Sequence, residues 1–72
     1  MFKSGKAYRH DTSQDLDILV VKVRYADKNK AKLLIHWVDK HNGNIRTFPG
    51  GRPDGIDNIE VQAKDFQYWK EI

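Results

Sequence analysis

Two stretches of alternating character constrain what this chain can become. From Leu16 to Tyr25 the sequence reads L-D-I-L-V-V-K-V-R-Y, and from Ala31 to Val38 it reads A-K-L-L-I-H-W-V. β-Branched side chains lose rotamer freedom in a helix and pack well on a pleat, so both stretches are predicted strands. Their odd positions are apolar: Leu19, Val21, Val23 and Tyr25 in the first, Ala31, Leu33, Ile35 and Trp37 in the second. Residues two apart share a face of a strand. The odd set is therefore expected to point into the core. The even set, Ile18, Val20, Lys22, Arg24, Lys32, Leu34, His36 and Val38, is expected to point outward.

The remaining elements are set by turn chemistry. Polar residues 26–30 break the first run. Asp39-Lys40-His41-Asn42-Gly43 supplies residue types that tolerate the positive φ of a tight reversal, which predicts a third strand over Asn44–Phe48 and an antiparallel meander. The segment Pro49–Gly55 holds two prolines and three glycines and reads as an exposed loop. Ile59 and Val61 place a strand over Ile56–Ala63, and Lys6–His10 adds an edge strand. Asp65 is expected to cap one helical turn, with Phe66 and Trp69 on one side plugging the end of the fold.

With 72 residues and no change of composition along the chain, residues 1–72 read as a single domain. The absence of cysteine removes disulfides and thiolate metal sites, which points to a cytoplasmic setting. Neither a signal peptide nor an apolar run long enough to span a bilayer is visible, so no membrane partner is expected. His10, His36 and His41 match no metal-ligand spacing, Gly50-Gly51-Arg52 lacks the pattern of a phosphate loop, and no serine or threonine sits in a nucleophile motif. The expectation is a non-enzymatic protein without a cofactor.

The closing stretch Ile59-Glu60-Val61, followed by Asp65-Phe66-Gln67-Tyr68-Trp69, resembles the last strand and terminal turn of the SH3-like small barrels, the group that includes Tudor-like and chromo-like modules. With the strand count, this resemblance implies a mainly β fold, a five-stranded antiparallel SH3-like small barrel with one short terminal helical turn. It is a likeness of fold and carries over no binding residues. A Tudor-like aromatic cage would need surface rings, and among the tyrosines and tryptophans only Tyr8 and Tyr68 are expected outside the core.

Charge supplies the functional signal. Between Ile18 and Phe48 every lysine and arginine falls at an even position, and the two acids, Asp27 and Asp39, fall at turns. Pairing Tyr25 with Ala31 sets Arg24 opposite Lys32, Lys22 opposite Leu34 and Val20 opposite His36. Pairing Trp37 with Ile45 then sets Arg46 beside His36. Opposed like charges destabilise a bare sheet, so this arrangement calls for an acidic partner. The candidate binding residues are Lys22, Arg24, Lys32, His36, Arg46 and Phe48. Such a face suits a nucleic acid, an acidic protein surface, or simple exposure to solvent. The aliphatic residues sharing it, Ile18, Val20, Leu34, Val38 and Phe48, also suit a homodimer.

Overall fold

The computed structural model describes all 72 residues, Met1–Ile72. Its strands are β1 (Ala7–His10), β2 (Leu16–Ala26), β3 (Lys30–Asp39), β4 (Ile56–Gln62) and β5 (Trp69–Glu71), with a 3-10 helix at Ala63–Tyr68. All pairings are antiparallel, in the order β4-β3-β2-β1-β5. The fold is mainly β, as expected. The sheet curls around its core without closing: β4 and β5 are its two free edges, and the 3-10 helix spans the gap between them. No helix is long and apolar enough to cross a membrane.

The β2–β3 reversal forms where the polar break predicts it. Asp27 Oδ1 accepts the backbone N–H groups of Asn29 and Lys30 at 2.7 and 2.9 Å, and the Asp27 N–H donates to the Lys30 carbonyl. The second reversal also forms, with Gly43 at φ 75° and its N–H bonded to the Asp39 carbonyl. Beyond this reversal the chain departs from expectation. Asn44–Phe48 is not a strand; a single bridge joins Val38 to Ile45. The edge of β3 is already taken, since β4 pairs with it from Lys30 to His36 and leaves space only beyond that point.

The fifth strand is instead Trp69–Glu71, three residues too short to show a period in sequence. It pairs with β1, which lies inside the sheet and not at its edge. Asp65 is not the cap of the helical turn; it lies in the first turn, and Gln62 occupies the cap position with no side-chain bond.

The largest correction concerns β2. Two bulges interrupt its pairing with β3, between Val20 and Lys22 and between Val23 and Tyr25. Each inserts an unpaired residue and reverses which positions face inward. Before the first bulge the even residues Ile18 and Val20 are fully buried; after it Val23 turns inward; after the second, Tyr25 turns outward. Leu19 lies on the outer face, Val21 is 41% exposed and Tyr25 is 48% exposed. In β3, which has no bulge, the odd residues Ala31, Leu33 and Ile35 are buried as predicted. Bulges allow a long two-stranded ribbon to bend sharply, which a small curled sheet requires.

The core combines Ile18, Val20, Ala31, Leu33, Ile35 and Val61 with Phe2 and Tyr8. Phe2 closes one end, its ring edge-on to Tyr8, Phe66 and Trp69 at centroid distances of 5.0, 5.9 and 6.3 Å. Tyr8, expected at the surface, is buried; its hydroxyl accepts the Lys3 N–H at 2.8 Å and donates to the Met1 carbonyl, so its polar atom is satisfied.

Candidate functional site

The structure separates the six predicted binding residues into two groups. Lys22, Arg24 and Lys32 lie together on the outer face at the hairpin end. Lys22 opposes Leu34, which neighbours Asn58 on β4; Tyr25 opposes Lys32, which neighbours Glu60. Arg24 occupies the second bulge, and its guanidinium reaches across β3 to donate to Asn58 Oδ1 at 2.9 Å. The expected opposition of Arg24 and Lys32 does not occur, because the bulge moves Arg24 out of register. Between the two bulges the expected register survives, pairing Lys22 with Leu34 and Val23 with Leu33, while Val20 opposes Ile35. No pair of like charges directly opposed across β2 and β3 therefore requires an acidic partner.

The balance of charge at this end remains. Lys22, Arg24, Lys28, Lys30 and Lys32 stand there with the carboxylates Asp27 and Glu60 among them. Glu60 is engaged by Lys30 at 3.7 Å. Asp27 takes the two turn amides and the Tyr25 hydroxyl, the latter at 2.6 Å. The Tyr25 hydrogen bond, then those from Asn29 and Lys30, hold the Asp27 carboxyl below the ordinary carboxylate value, and the same Asp27 contact raises the Tyr25 phenol above its own. Lys22, Arg24, Lys28 and Lys32 have no carboxylate within 4.0 Å. Arg24, Tyr25, Lys32, Asn58 and Glu60 line one open recess of about 490 Å³.

His36, Arg46 and Phe48 lie toward the opposite end, where charge is already matched. Arg46 donates to Asp39 Oδ2 at 2.5 Å, and this bond, followed by the His41 amide, stabilises the charged carboxylate and holds the Asp39 pKa below the ordinary carboxylate value. The bridge falls at Val38 and Ile45, so the Arg46 N–H bonds the Trp37 carbonyl and does not stand beside His36. The His36 ring faces the Gly55 carbonyl at 3.2 Å; a carbonyl only accepts, so Nδ1 carries the proton. Phe48 is exposed and, with Trp37, Arg46, Arg52 and Asp57, lines a second recess of about 530 Å³. Asp57 accepts the Trp37 indole N–H at 3.1 Å. Arg9 is also committed internally: it grips the buried Asp17 through two bonds of 2.8 and 2.9 Å, chiefly a hydrogen-bonded pair that raises the guanidinium's ionisation.

Two residues of the hairpin-end face were missed in sequence, Tyr25 and Asn58. Tyr25 shares the parity of the β3 core residues and reads as internal until the bulges are known. Asn58 joins the face only through the long connection that brings β4 beside β3. The apolar surface is also smaller than expected, since Ile18 and Val20 are core residues. In comparison with known proteins, the chain matches no family model, no curated protein and no solved structure.

Proposed function

We propose that this protein is a non-enzymatic interaction module built as an SH3-like small barrel, and that the outer face of its β2–β3 hairpin holds the phosphate backbone of a nucleic acid. The SH3-like reading draws support from the strand order, with β1 between β2 and β5, and from the 3-10 helix that joins β4 to β5. The observation that carries the functional reading is the set of four cations, Lys22, Arg24, Lys28 and Lys32, grouped at one end with no carboxylate partner. Away from this face Arg9 and Arg46 are neutralised by Asp17 and Asp39, while the other cations without a carboxylate partner, Lys3, Lys6, Lys40, Lys64 and Lys70, lie outside the β2–β3 hairpin. Displaced counterions drive binding at such a face and make it steeply dependent on salt.

Titration of labelled single-stranded and duplex oligonucleotides at two salt concentrations tests this. If three or four phosphates are engaged, single-strand affinity falls roughly 20- to 50-fold between 50 and 200 mM salt. Failure of both oligonucleotides to bind at the lower salt removes the reading.

A further inference from the structure

Resting on that reading, we infer that Tyr25 is a stacking platform for an unpaired base, so that the hairpin-end face selects single-stranded over duplex nucleic acid. Four observations converge on this residue. The second bulge turns its ring onto the outer face, where it is 48% exposed. No other aromatic ring packs against it, as is also true of Trp37 and Phe48, so its face is free. Its hydroxyl is tied to Asp27 at 2.6 Å, and Asp27 is itself fixed by two amides of the turn, so the ring is oriented before any ligand arrives. Beside the Asp27 contact two cations flank the ring: Arg24 precedes it, anchored on Asn58, and Lys32 stands directly opposite.

A flat exposed ring flanked by cations is the combination single strands require, because phosphates track the charges while bases stack without regard to sequence. A duplex keeps its bases paired and offers such a ring nothing. An acidic protein surface would use the same cations and leave the ring without a role.

The test uses the full chain and fluorescence anisotropy of a labelled twelve-nucleotide oligo(dT), a duplex of the same length, and an oligoglutamate peptide. Wild type, Tyr25→Leu, Tyr25→Phe and Lys32→Gln are compared, with thermal melting to verify that each variant is folded. The expected result is a preference for the single strand that Tyr25→Leu weakens by roughly 5- to 150-fold, the range set by one stacked base. Tyr25→Phe retains most of the affinity. Tyr25→Leu leaves the salt slope unchanged, whereas Lys32→Gln lowers it by about 0.7. If Lys32→Gln weakens binding and Tyr25→Leu does not, the ring is no platform and the inference is overturned while the phosphate-binding reading stands. Tighter binding of oligoglutamate than of oligo(dT), indifferent to Tyr25→Leu, overturns both, as does the absence of all binding.

Discussion

Val20 and Val21 are chemically identical neighbours, and the first bulge of β2 gives them opposite fates. Val20 is fully buried against the core, while Val21 is 41% exposed. Truncating Val20 to alanine removes two methyl-sized groups, worth roughly 1.6 kcal/mol of transfer free energy at about 0.8 kcal/mol per carbon. A residual cavity of about 40 Å³ adds roughly 1 kcal/mol. The sum, about 2.5 kcal/mol, is a large part of the ~4–11 kcal/mol expected for a domain this size. It corresponds to a fall in Tm of roughly 10–20 °C. Val21→Ala should cost under about 0.5 kcal/mol, as for other surface changes. Urea unfolding followed by the emission of Trp37 and Trp69, both half-buried, measures the two variants side by side. Val21→Ala as damaging as Val20→Ala, or more so, would show uninterrupted alternation through β2 and refute the bulge, and with it the outward placement of Tyr25.

Two further tests address the loops and the charges. Gly55 has φ +72°, and an added Cβ would lie 3.2 Å from Ile45 Cγ2, whereas Gly43, at φ +75°, has open space around it. Both alanine variants bear about 1–2 kcal/mol of left-handed strain, so chemical denaturation should show Gly55→Ala to be the more destabilised of the two; equal losses would mean that the 45–55 loop does not pack as described. Asp27 and Asp39 ionise below the unfolded value of 3.8, so the stability they contribute is present above that value and lost as pH falls through their folded values. Melting between pH 2 and 6 should give a shallower acid loss in Asp39→Asn than in the native protein. Tyr25 has the opposite sign: its raised phenol stabilises fully below the ordinary value of 10.0 and loses that contribution as pH rises through the folded one, a dependence that Tyr25→Phe should abolish.

Legibility in sequence tracked the range of the interactions involved. The β3 alternation, the reversals at Asp27 and Gly43, and the strand at Ile59–Val61 are local, because propensity, period and turn chemistry act over a few residues. The cations Lys22, Arg24 and Lys32 were likewise found together from parity, although the register proposed for them was wrong by one bulge. Phe2 gave no periodic signal, since a single residue before β1 reaches the core only once the sheet has curled over it.

By itself the sequence determined that the chain forms a mainly β fold from short antiparallel strands, with a basic stretch centred on β2 and β3. Only the tertiary structure decided which side of β2 faces the core, which segment fills the edge of β3, and that Tyr25 belongs with the cations. The physical reason is that bulges arise from the curvature of the whole sheet, and a one-residue insertion in pairing reverses every side chain beyond it. Alternation reports which residues lie on one side together; it does not report where that alternation is interrupted.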